Sequence, residues 1–533
     1  MSDAAPQLEQ YAALLTAFEA AVGQQNVLTD DASLAYFSQD YYRSGVAPIA
    51  VIRPPTVEAL AQATGLATSH GVAVFPRGGG FSYTDAYLPN RPDSIIVDTQ
   101  LLNKIVEINT DDMYVTVEAG CTWAALEEAL ADTAVRSGFW GTLSGYNATI
   151  GGTVSQGGAS LGSAKYGMSS ESVLALEVVS ADGTIVRTGS AGQHDKTPFF
   201  RNYGPDVTGL FCCDAGALGI KARVTLRLER RRRLHYGLSF GFESFDDMLA
   251  GMAAVAAEGR ATEHLSFSAE TMANFGELSF KETLKTAFAV AKVSSNWFSG
   301  LIQVAKMGLA GRRFLNSARY MSHCVVEAAN QKELAGQIQR IREVVAPHGR
   351  DLPNTVPTVI RAAPFMQLDT LSPKGQRGLP IHTVLPFSKV MNFHHQFNQY
   401  VAGMEAEMAA HGVSIQSMFT TLGTTGFLYE PVFYWCDEPN SFHKRHTQAE
   451  VLAKAEANPN SAEATALVEK MRVAIVHLMH QCGGIHLQIG KAYPFMKDRD
   501  AASSALINAI KAELDPKGLI NPGALELPQT AAQ

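Results

Sequence analysis

Three glycine-rich stretches stand out within residues 76–220 of this chain. They read PRGGGFSY from Pro76, TIGGTVSQGGASLGSAKYG from Thr149 and YGPDVTGLFCCDAGALGI from Tyr203. Each lies beside a run of apolar, strand-like residues, and glycine is the residue that lets a backbone come close to a ligand. Main-chain N–H groups with no Cβ in the way suit a pyrophosphate. The pattern therefore predicts a long cleft that holds a dinucleotide.

The first part of the chain predicts a mixed α and β domain that ends near Arg233. Helices are predicted at residues 7–25, 53–71 (Pro-started and closed by glycine) and 122–132 (with Thr122 as N-cap). Strands are predicted at residues 72–76, 94–99 and 113–120, and a hairpin at 173–189 with Asp182-Gly183 as its turn. The units do not alternate evenly, and no strand–GxGxxG–helix opens the domain. This disfavours a nicotinamide-binding Rossmann fold.

Size and composition restrict the class of protein. At 533 residues the chain is too long for one ordinary core, so we expect two large domains. A net charge of −8 argues against nucleic acid as a partner. The first ten residues lack the pattern of a secretory signal, and no uninterrupted apolar stretch reaches the roughly 18 residues that a spanning helix needs. We therefore expect a cytoplasmic protein with no transmembrane segment.

The second part of the chain has a different character. From about residue 234 the glycine loops stop, and helical and strand-like segments alternate. Residues 288–314 mix large apolar side chains with Lys and Arg. They predict a helix packed on the sheet of their own domain, with an interfacial amphipathic helix as the alternative.

The motifs, in this order and spacing, resemble those of the vanillyl-alcohol-oxidase and p-cresol-methylhydroxylase-type FAD-linked oxidases. The resemblance rests on PRGGGFS, VTVEAG, TIGGTVSQGGAS, KYG, GPDVTGLF with GALGI, and DPKGLINPG, and it runs from about residue 45 to 525. It implies an α+β, two-domain flavoprotein. A PCMH-type FAD-binding domain would hold the extended cofactor, and an α+β cap domain would cover the isoalloxazine ring and supply the substrate pocket.

The resemblance also implies boundaries for these units. We expect an N-terminal helical segment at residues 1–44 and the FAD-binding PCMH-type domain at 45–233. The cap or substrate domain would occupy residues 234–490. A C-terminal segment at 491–533 would return to the FAD domain.

Fourteen residues of these motifs are implied as FAD contacts. The loop after the first buried strand would wrap the pyrophosphate through main-chain N–H groups, and the stretch from Thr149 would line the other side of the diphosphate and ribityl chain. The third stretch would lie beside the adenine, and the last motif would approach the flavin from the cap side. The residues are Arg77, Gly78, Gly79, Gly80, Phe81, Ser82, Thr149, Gly151, Gly152, Ser155, Gly158, Gly219, Ile220 and Asn521.

The positions at which relatives attach FAD covalently differ in this chain. Many relatives use a histidine in the first loop, where this chain has Phe81. Others use a cysteine before the KYG element, where it has Ala159, Ser160 and Ser163. A third group uses a cap residue, whose counterpart is Tyr429. We therefore expect non-covalent FAD, with a tyrosyl link at Tyr429 as the alternative.

The cap must orient the reacting carbon and help to remove an O–H proton, because a flavin accepts a hydride at N5. Tyr, His, Arg and Lys side chains around an apolar slot suit that task. The cap offers Arg361, His382, Tyr429, Tyr434, His486 and Lys491 as candidates, and we predict His486, Tyr429, Arg361, Tyr434 and Lys491 as the catalytic residues. Phenol-oxidising relatives hold a phenolate with an arginine whose position corresponds to Gln488 here, so Arg361 or Lys491 would have to substitute.

Three functions follow from this pattern. The first is an FAD-dependent oxidoreductase that dehydrogenates an alcohol-type carbon of a small aromatic or para-phenolic substrate. The second is a D-2-hydroxy-acid dehydrogenase of the lactate or glycolate type, which the missing Gly-Glu-His-Gly metal segment disfavours, and we predict no metal site. The third is a flavin-binding subunit of an electron-transfer complex, with Cys212-Cys213 or residues 288–314 at the contact surface. Oxygen and a cytochrome are both open as electron acceptors, and we expect a homodimer.

Overall fold

The computed structural model describes residues 10–268, 318–362 and 364–529, and these residues form three sheets. The first sheet has four strands in the order β1-β2-β4-β3. Strands β2 and β3 both run parallel to β4, whereas β1 pairs antiparallel with β2. The strands are β1 (Val27–Leu28), β2 (Ala50–Ile52), β3 (Ala73–Arg77) and β4 (Ser94–Asp98).

The second sheet is antiparallel, in the order β5-β6-β10-β8-β9, and β7 also pairs with β10. The predicted hairpin is present, because β8 and β9 pair across a turn in which Gly183 has a φ of +84°. The strands are β5 (Ile105–Asn109), β6 (Tyr114–Glu118), β7 (Val135–Ser137), β8 (Val173–Val179), β9 (Ile185–Arg187) and β10 (Ile220–Arg230).

Helices cover these two sheets and connect their strands. They are α1 (Ala12–Val22), α2 (Asp31–Phe37), α3 (Val57–Ser69), α4 (Trp123–Leu130), α5 (Ile150–Gln156), α6 (Ser163–Tyr166) and α7 (Val207–Leu210). Thr122 caps α4 as predicted, since its side chain accepts from the amide of Ala125. Helix α3 differs from its prediction: Thr56, after the two prolines, is the N-cap and accepts from the amide of Ala59.

The third sheet is built from residues 234–435 and is antiparallel throughout. Its order is β14-β11-β13-β12-β17-β18-β15, with β16 also paired to β18. The strands are β11 (Leu234–Phe242), β12 (Ala261–Ser268), β13 (Tyr320–Ala328), β14 (Arg350–Leu352), β15 (Arg377–Pro380), β16 (Thr383–Leu385), β17 (Ser414–Leu422) and β18 (Gly426–Trp435). The predicted segment at residues 288–314 lies outside the described residues.

Helices pack on one face of the third sheet and form the largest apolar core with it. The opposite face is turned toward the first two sheets. The helices that follow the start of this sheet are α8 (Phe245–Glu258), α9 (Gln331–Val345), α10 (Thr355–Ala362), α11 (Phe387–Ala410), α12 (Ser441–His446), α13 (Ala449–Ala457) and α14 (Ala462–Gln481). Along the described ranges, every helix falls short of the length and apolar character needed to cross a membrane.

After α14 the chain returns to the first sheet. Helix α15 (Ala501–Leu514) is followed by a segment that runs beside β3. The amide of Val74 donates to the carbonyl of Leu519 at 2.8 Å, and the amide of Asn521 donates to the carbonyl of Val74 at 2.8 Å. The side chain of Lys511 anchors this return, because its buried ammonium donates to the carbonyls of Ala217 and Ile520.

Candidate functional site

One cavity of about 330 Å³ lies between the first two sheets and the third. On one side it is lined by the three glycine-rich stretches that stand out in the sequence. On the other side it is lined by the face of the third sheet that points away from the largest apolar core, together with residues that follow α14. Helix α10 packs at the edge of this face, where Val356 and Ile360 contact the cluster of Leu265 and Phe267. The cavity therefore joins a backbone-lined trough to a pocket of side chains.

The first glycine stretch forms the turn after β3 and fits tightly against the second stretch. A Cβ on Gly78 would lie 2.3 Å from Oγ1 of Thr149, and a Cβ on Gly79 would lie 2.1 Å from the carbonyl oxygen of Asn147. Gly80 has a φ of +82°, in the left-handed region that favours glycine. No larger residue fits at these positions without moving its neighbours. The surface of this turn is therefore formed by main-chain atoms.

Arg77 places a positive charge beneath this turn. Its side chain is fully buried, and its guanidinium lies 4.8 Å from the ring centroid of Phe37 and 3.8 Å from the carboxylate of Asp98. A cation under a turn with no side chains of its own favours an anionic group on the other side of that turn. The chemistry of this turn thus fits the diphosphate of the expected cofactor.

The second and third stretches continue the same surface. Thr149 is the N-cap of α5, and its Oγ1 accepts from the amide of Gly152. A Cβ on Gly151 would lie 2.5 Å from Cβ of Ala119, so this helix packs directly on the end of β6. Asp214 of the third stretch forms a buried ion pair with Lys221, the residue that follows the stretch. Both stretches contribute glycines to the cavity lining, together with the longer residues Gln156 and Ile220.

Thirteen of the fourteen predicted FAD contacts line this cavity, and Asn521 is the exception. The Nδ2 group of Asn521 donates to the carbonyls of Ala86 and Ala215, and its Oδ1 accepts from Lys491. A buried amide that satisfies these groups is fully engaged in the protein. Asn521 therefore joins the loop after β3 to the third glycine stretch and does not reach the cavity from the cap side.

None of the five predicted catalytic residues lines the cavity. Tyr429 lies on the opposite face of β18 and hydrogen-bonds to Nδ1 of His394 at 2.9 Å. Its ring is 1% exposed and packs among the phenylalanines of the core, so the strand position excludes it from the pocket. A tyrosyl link to FAD at Tyr429 has no geometric support.

Three of the other four candidates, Arg361, Lys491 and His486, are held by partners elsewhere in the protein. Arg361 forms ion pairs with Glu327 and Glu263 behind the cavity. Nζ of Lys491 donates to the carbonyls of Asp85, Ala86 and Leu88.

His486 stacks on the ring of Tyr493, with the ring centroids 4.3 Å apart, and its Nδ1 donates to the carbonyl of His382 at 2.8 Å. Tyr434 shares a face of β18 with Glu430. Leu428 and Glu430 line the cavity, whereas Tyr434 does not. Its burial, with the charge of Glu430, raises the pKa of Tyr434 to about 12.

Four polar side chains of the cap do line the cavity, and of these only His382 was a candidate from the sequence. They are His382, Thr420, Glu430 and Gln488, and Tyr83 faces them from the loop after β3. Nε2 of His382 donates to the carbonyl of Leu487 at 2.6 Å, and burial lowers the pKa of His382 to about 3, so this imidazole is neutral. Glu430 was missed by sequence reasoning. The signal was a single carboxylate inside the apolar run FLYEPVFYW.

Apolar side chains complete the cap side of the cavity, namely those of Leu265, Phe267, Leu368, Met418, Leu428 and Leu487. Phe81, at the position where many relatives attach FAD through a histidine, lines the trough and packs against Phe442, with ring centroids 5.2 Å apart.

Among the described residues, no group of three His, Cys, Asp or Glu side chains is placed to hold a metal ion. Cys212 is buried and Cys213 is half-buried, so this pair offers little surface to a partner protein.

Comparisons with known proteins agree with this geometry. Residues 48–189 match a family model described as an FAD binding domain. An uncharacterized FAD-linked oxidoreductase of Mycobacterium tuberculosis is 29% identical over 253 residues, which are 47% of this chain and 53% of that protein. The mitochondrial D-lactate dehydrogenase [cytochrome] of Kluyveromyces lactis is 29% identical over 204 residues, 38% of this chain and 34% of that protein. The chain thus spans about half the length, or less, of these curated relatives.

Two solved structures share the fold over nearly the whole chain. p-Cresol methylhydroxylase with substrate bound has a TM-score of 0.69 at 15% identity, with 97% of both chains covered. 4-Ethylphenol oxidase from Gulosibacter chungangensis has a TM-score of 0.63 at 16% identity, with 98% of both chains covered. At this identity the likeness concerns the fold.

Proposed function

We propose that this protein, which carries an FAD-binding domain within the fold of the PCMH/VAO-type flavoproteins, is an oxidoreductase that dehydrogenates an alcohol-type carbon of a small organic substrate. The prediction of FAD and of a two-domain α+β fold is confirmed by the domain match and the solved structures. The observation that carries the proposal is the cavity that joins a glycine-lined trough to an apolar pocket. Bound FAD supplies the hydride acceptor for such a reaction.

The chain's own residues have separate tasks in this proposal. Main-chain groups at Gly78, Gly79 and Gly152 hold the diphosphate, with Arg77 beneath them. The apolar side chains of the cap enclose the substrate and exclude water from the reacting carbon. Gln488 lies within the pocket lining and orients the substrate by a hydrogen bond. His382 also lines the pocket, but its ring nitrogens contact the carbonyl of Leu487 and the hydroxyl of Tyr493, so it contributes a neutral, fixed wall. The individual FAD contacts and the domain boundaries at 45–233 and 234–490 remain parts of the proposal.

An aromatic alcohol is the substrate class that the pocket favours. Its cap side carries six large apolar side chains, which suit a ring better than a small hydrophilic acid. A second candidate is a D-2-hydroxy-acid dehydrogenase, which the likeness to the lactate dehydrogenase of Kluyveromyces lactis supports.

The flavin spectrum under anaerobic conditions tests the proposal. Purified holoenzyme is mixed with 4-hydroxybenzyl alcohol, 1-phenylethanol, D-lactate or D-2-hydroxyglutarate, and the flavin band is followed. We expect the alcohols to bleach the band, and admission of air then separates an oxidase from a dehydrogenase by the speed at which the colour returns. Bleaching by the hydroxy acids alone would support the second candidate, and a flavin that no compound reduces would refute both.

A further inference from the structure

Glu430 is an acidic side chain at the cap end of the cavity, and no cation of the described ranges pairs with it. Along β18 the side chains alternate, so Leu428 and Glu430 line the cavity while Tyr429 faces the core. Within the ranges that the structure describes, the carboxyl of Glu430 makes no hydrogen bond and no ion pair. A buried carboxylate without a donor is costly, and such groups are normally satisfied. A hydroxyl group of a ligand in the pocket can supply that donor.

In the described part of the chain, the titratable groups near Glu430 come from three elements, and none of these groups is a cation. Tyr83 lies on the loop after β3, Tyr434 is on β18, and Tyr493 follows α14. Burial and the nearby charge of Glu430 raise the pKa of all three phenols, so these phenols stay neutral. His382, beside Tyr83 and Tyr493, is also neutral. Burial raises the pKa of Glu430 itself to about 7.

The charges that do line the cavity are on its other side. Arg77 lies beneath the first glycine turn, and Lys221 is paired with Asp214. Among the cap residues that the structure describes, no Lys or Arg lines the cavity. A carboxylate or phenolate in the cap pocket would therefore meet the carboxyl of Glu430, whereas a hydroxyl could donate to it.

We propose that the cap pocket takes an uncharged, apolar alcohol, and that Glu430 is the catalytic residue that accepts its hydroxyl proton and selects against anionic substrates. This inference rests on the proposed function. In the step, the O–H bond breaks and its proton goes to the carboxylate of Glu430. The C–H bond breaks and its hydrogen leaves with both electrons as hydride to bound, oxidised FAD. The C–O bond becomes C=O, so the product is an aldehyde or a ketone.

The expected selectivity follows from Coulomb's law. Two like charges about 5 Å apart, at an effective dielectric constant of about 20, disfavour binding on the order of 100-fold. This penalty falls as Glu430 takes up a proton, so the selectivity is expected to be larger at pH 8 than at pH 6. A glutamine at this position has the same shape without the charge.

A matched pair of non-reactive ligands measures this selectivity without turnover. Acetophenone and phenylglyoxylate share a ring and a carbonyl, and only the second carries a carboxylate. Holoenzymes of the wild type, Glu430→Gln and the exposed control Glu450→Gln are titrated at pH 8 and pH 6, and the shift of the flavin band gives each dissociation constant. We expect the wild type and the control to favour acetophenone by about 100-fold at pH 8, and Glu430→Gln to favour it by less than tenfold.

The reactive pair, 1-phenylethanol and mandelate, tests the proton transfer. We expect Glu430→Gln to keep its FAD and to reduce it with 1-phenylethanol at least 100-fold more slowly, because a positioned base contributes about 10²–10⁴ in rate. The wild-type rate should rise through an apparent pKa near 7, and this rise should be absent in the variant.

The outcomes separate the two proposals. Phenylglyoxylate that binds the wild type as tightly as acetophenone, or a binding ratio that Glu430→Gln leaves unchanged, would overturn the inference, as would failure of both ligands to bind. Preferential bleaching by mandelate would overturn the inference alone and leave the oxidoreductase in place. A flavin that no alcohol or hydroxy acid reduces would instead refute the proposed function.

Discussion

Gly79→Ala tests the claim that the turn after β3 is shaped to hold the diphosphate. The new Cβ would lie 2.1 Å from the carbonyl oxygen of Asn147 and 3.0 Å from its carbonyl carbon. The turn and the second glycine stretch must then separate by on the order of 1 Å, because such atoms repel below about 3 Å. A hydrogen bond lengthened by about 1 Å is lost. With two charge-assisted bonds lost at about 1.5–3 kcal/mol each, FAD affinity should fall about 10²–10⁴-fold.

Calorimetric titration of the apoprotein with FAD measures this loss, and the flavin absorbance of the purified variant checks it. Gly336→Ala is the matched control, because Gly336 lies on the exposed face of α9 and its Cβ would meet nothing within 4 Å. The control should bind FAD as the wild type does and gain about 0.5–1 kcal/mol of stability. Wild-type affinity for FAD in Gly79→Ala would refute the reasoning.

Three further predictions concern other parts of the molecule. Lys511→Met leaves a buried carboxylate without its cation and should cost about 3–5 kcal/mol in urea unfolding; a loss below about 1 kcal/mol would contradict the anchoring role. Tyr429→Phe should leave the FAD content and the rate of flavin reduction unchanged and cost about 1 kcal/mol through the lost bond to His394, and tenfold slower reduction would argue against the placement of Tyr429. Burial lowers the pKa of His264 and of His323 to about 3, whereas the unfolded chain takes up these protons near pH 6.5. Stability should therefore fall below pH 6.5 by about 1.4 kcal/mol per pH unit for each histidine, and a urea midpoint that stays flat from pH 6.5 to 5 would contradict this.

The trough could be predicted from the sequence because glycine acts locally. A turn that needs a bare backbone needs glycine at that position whatever lies elsewhere, so the three stretches identified one side of the cavity. Even there, α5 was not foreseen. Glycine is a poor helix former, yet Gly151 and Gly152 lie in its first turn, where the cap at Thr149 and packing against Ala119 outweigh that preference.

The cap side could not be predicted in the same way. Tyr429 and Glu430 are neighbours, and which of them faces the cavity depends on the phase of β18 relative to the rest of the sheet. The reactivity of a phenol led us to predict Tyr429 in the pocket, whereas the structure places the carboxyl group of Glu430 there. Arg361 was predicted to hold an anionic group of the substrate. Its guanidinium instead forms ion pairs with Glu327 of β13 and Glu263 of β12, and such partners become apparent only once the sheet is assembled.

The return of the chain to β3 has a consequence for biosynthesis. On the ribosome, β3 emerges several hundred residues before Leu519 and Asn521, so the amide and carbonyl of Val74 have no strand partner while the cap is still being translated. The turn that β3 presents is stiffened only when that late segment docks. We therefore expect the nucleotide to bind only after this segment has been translated, so nascent chains stalled before it should be colourless.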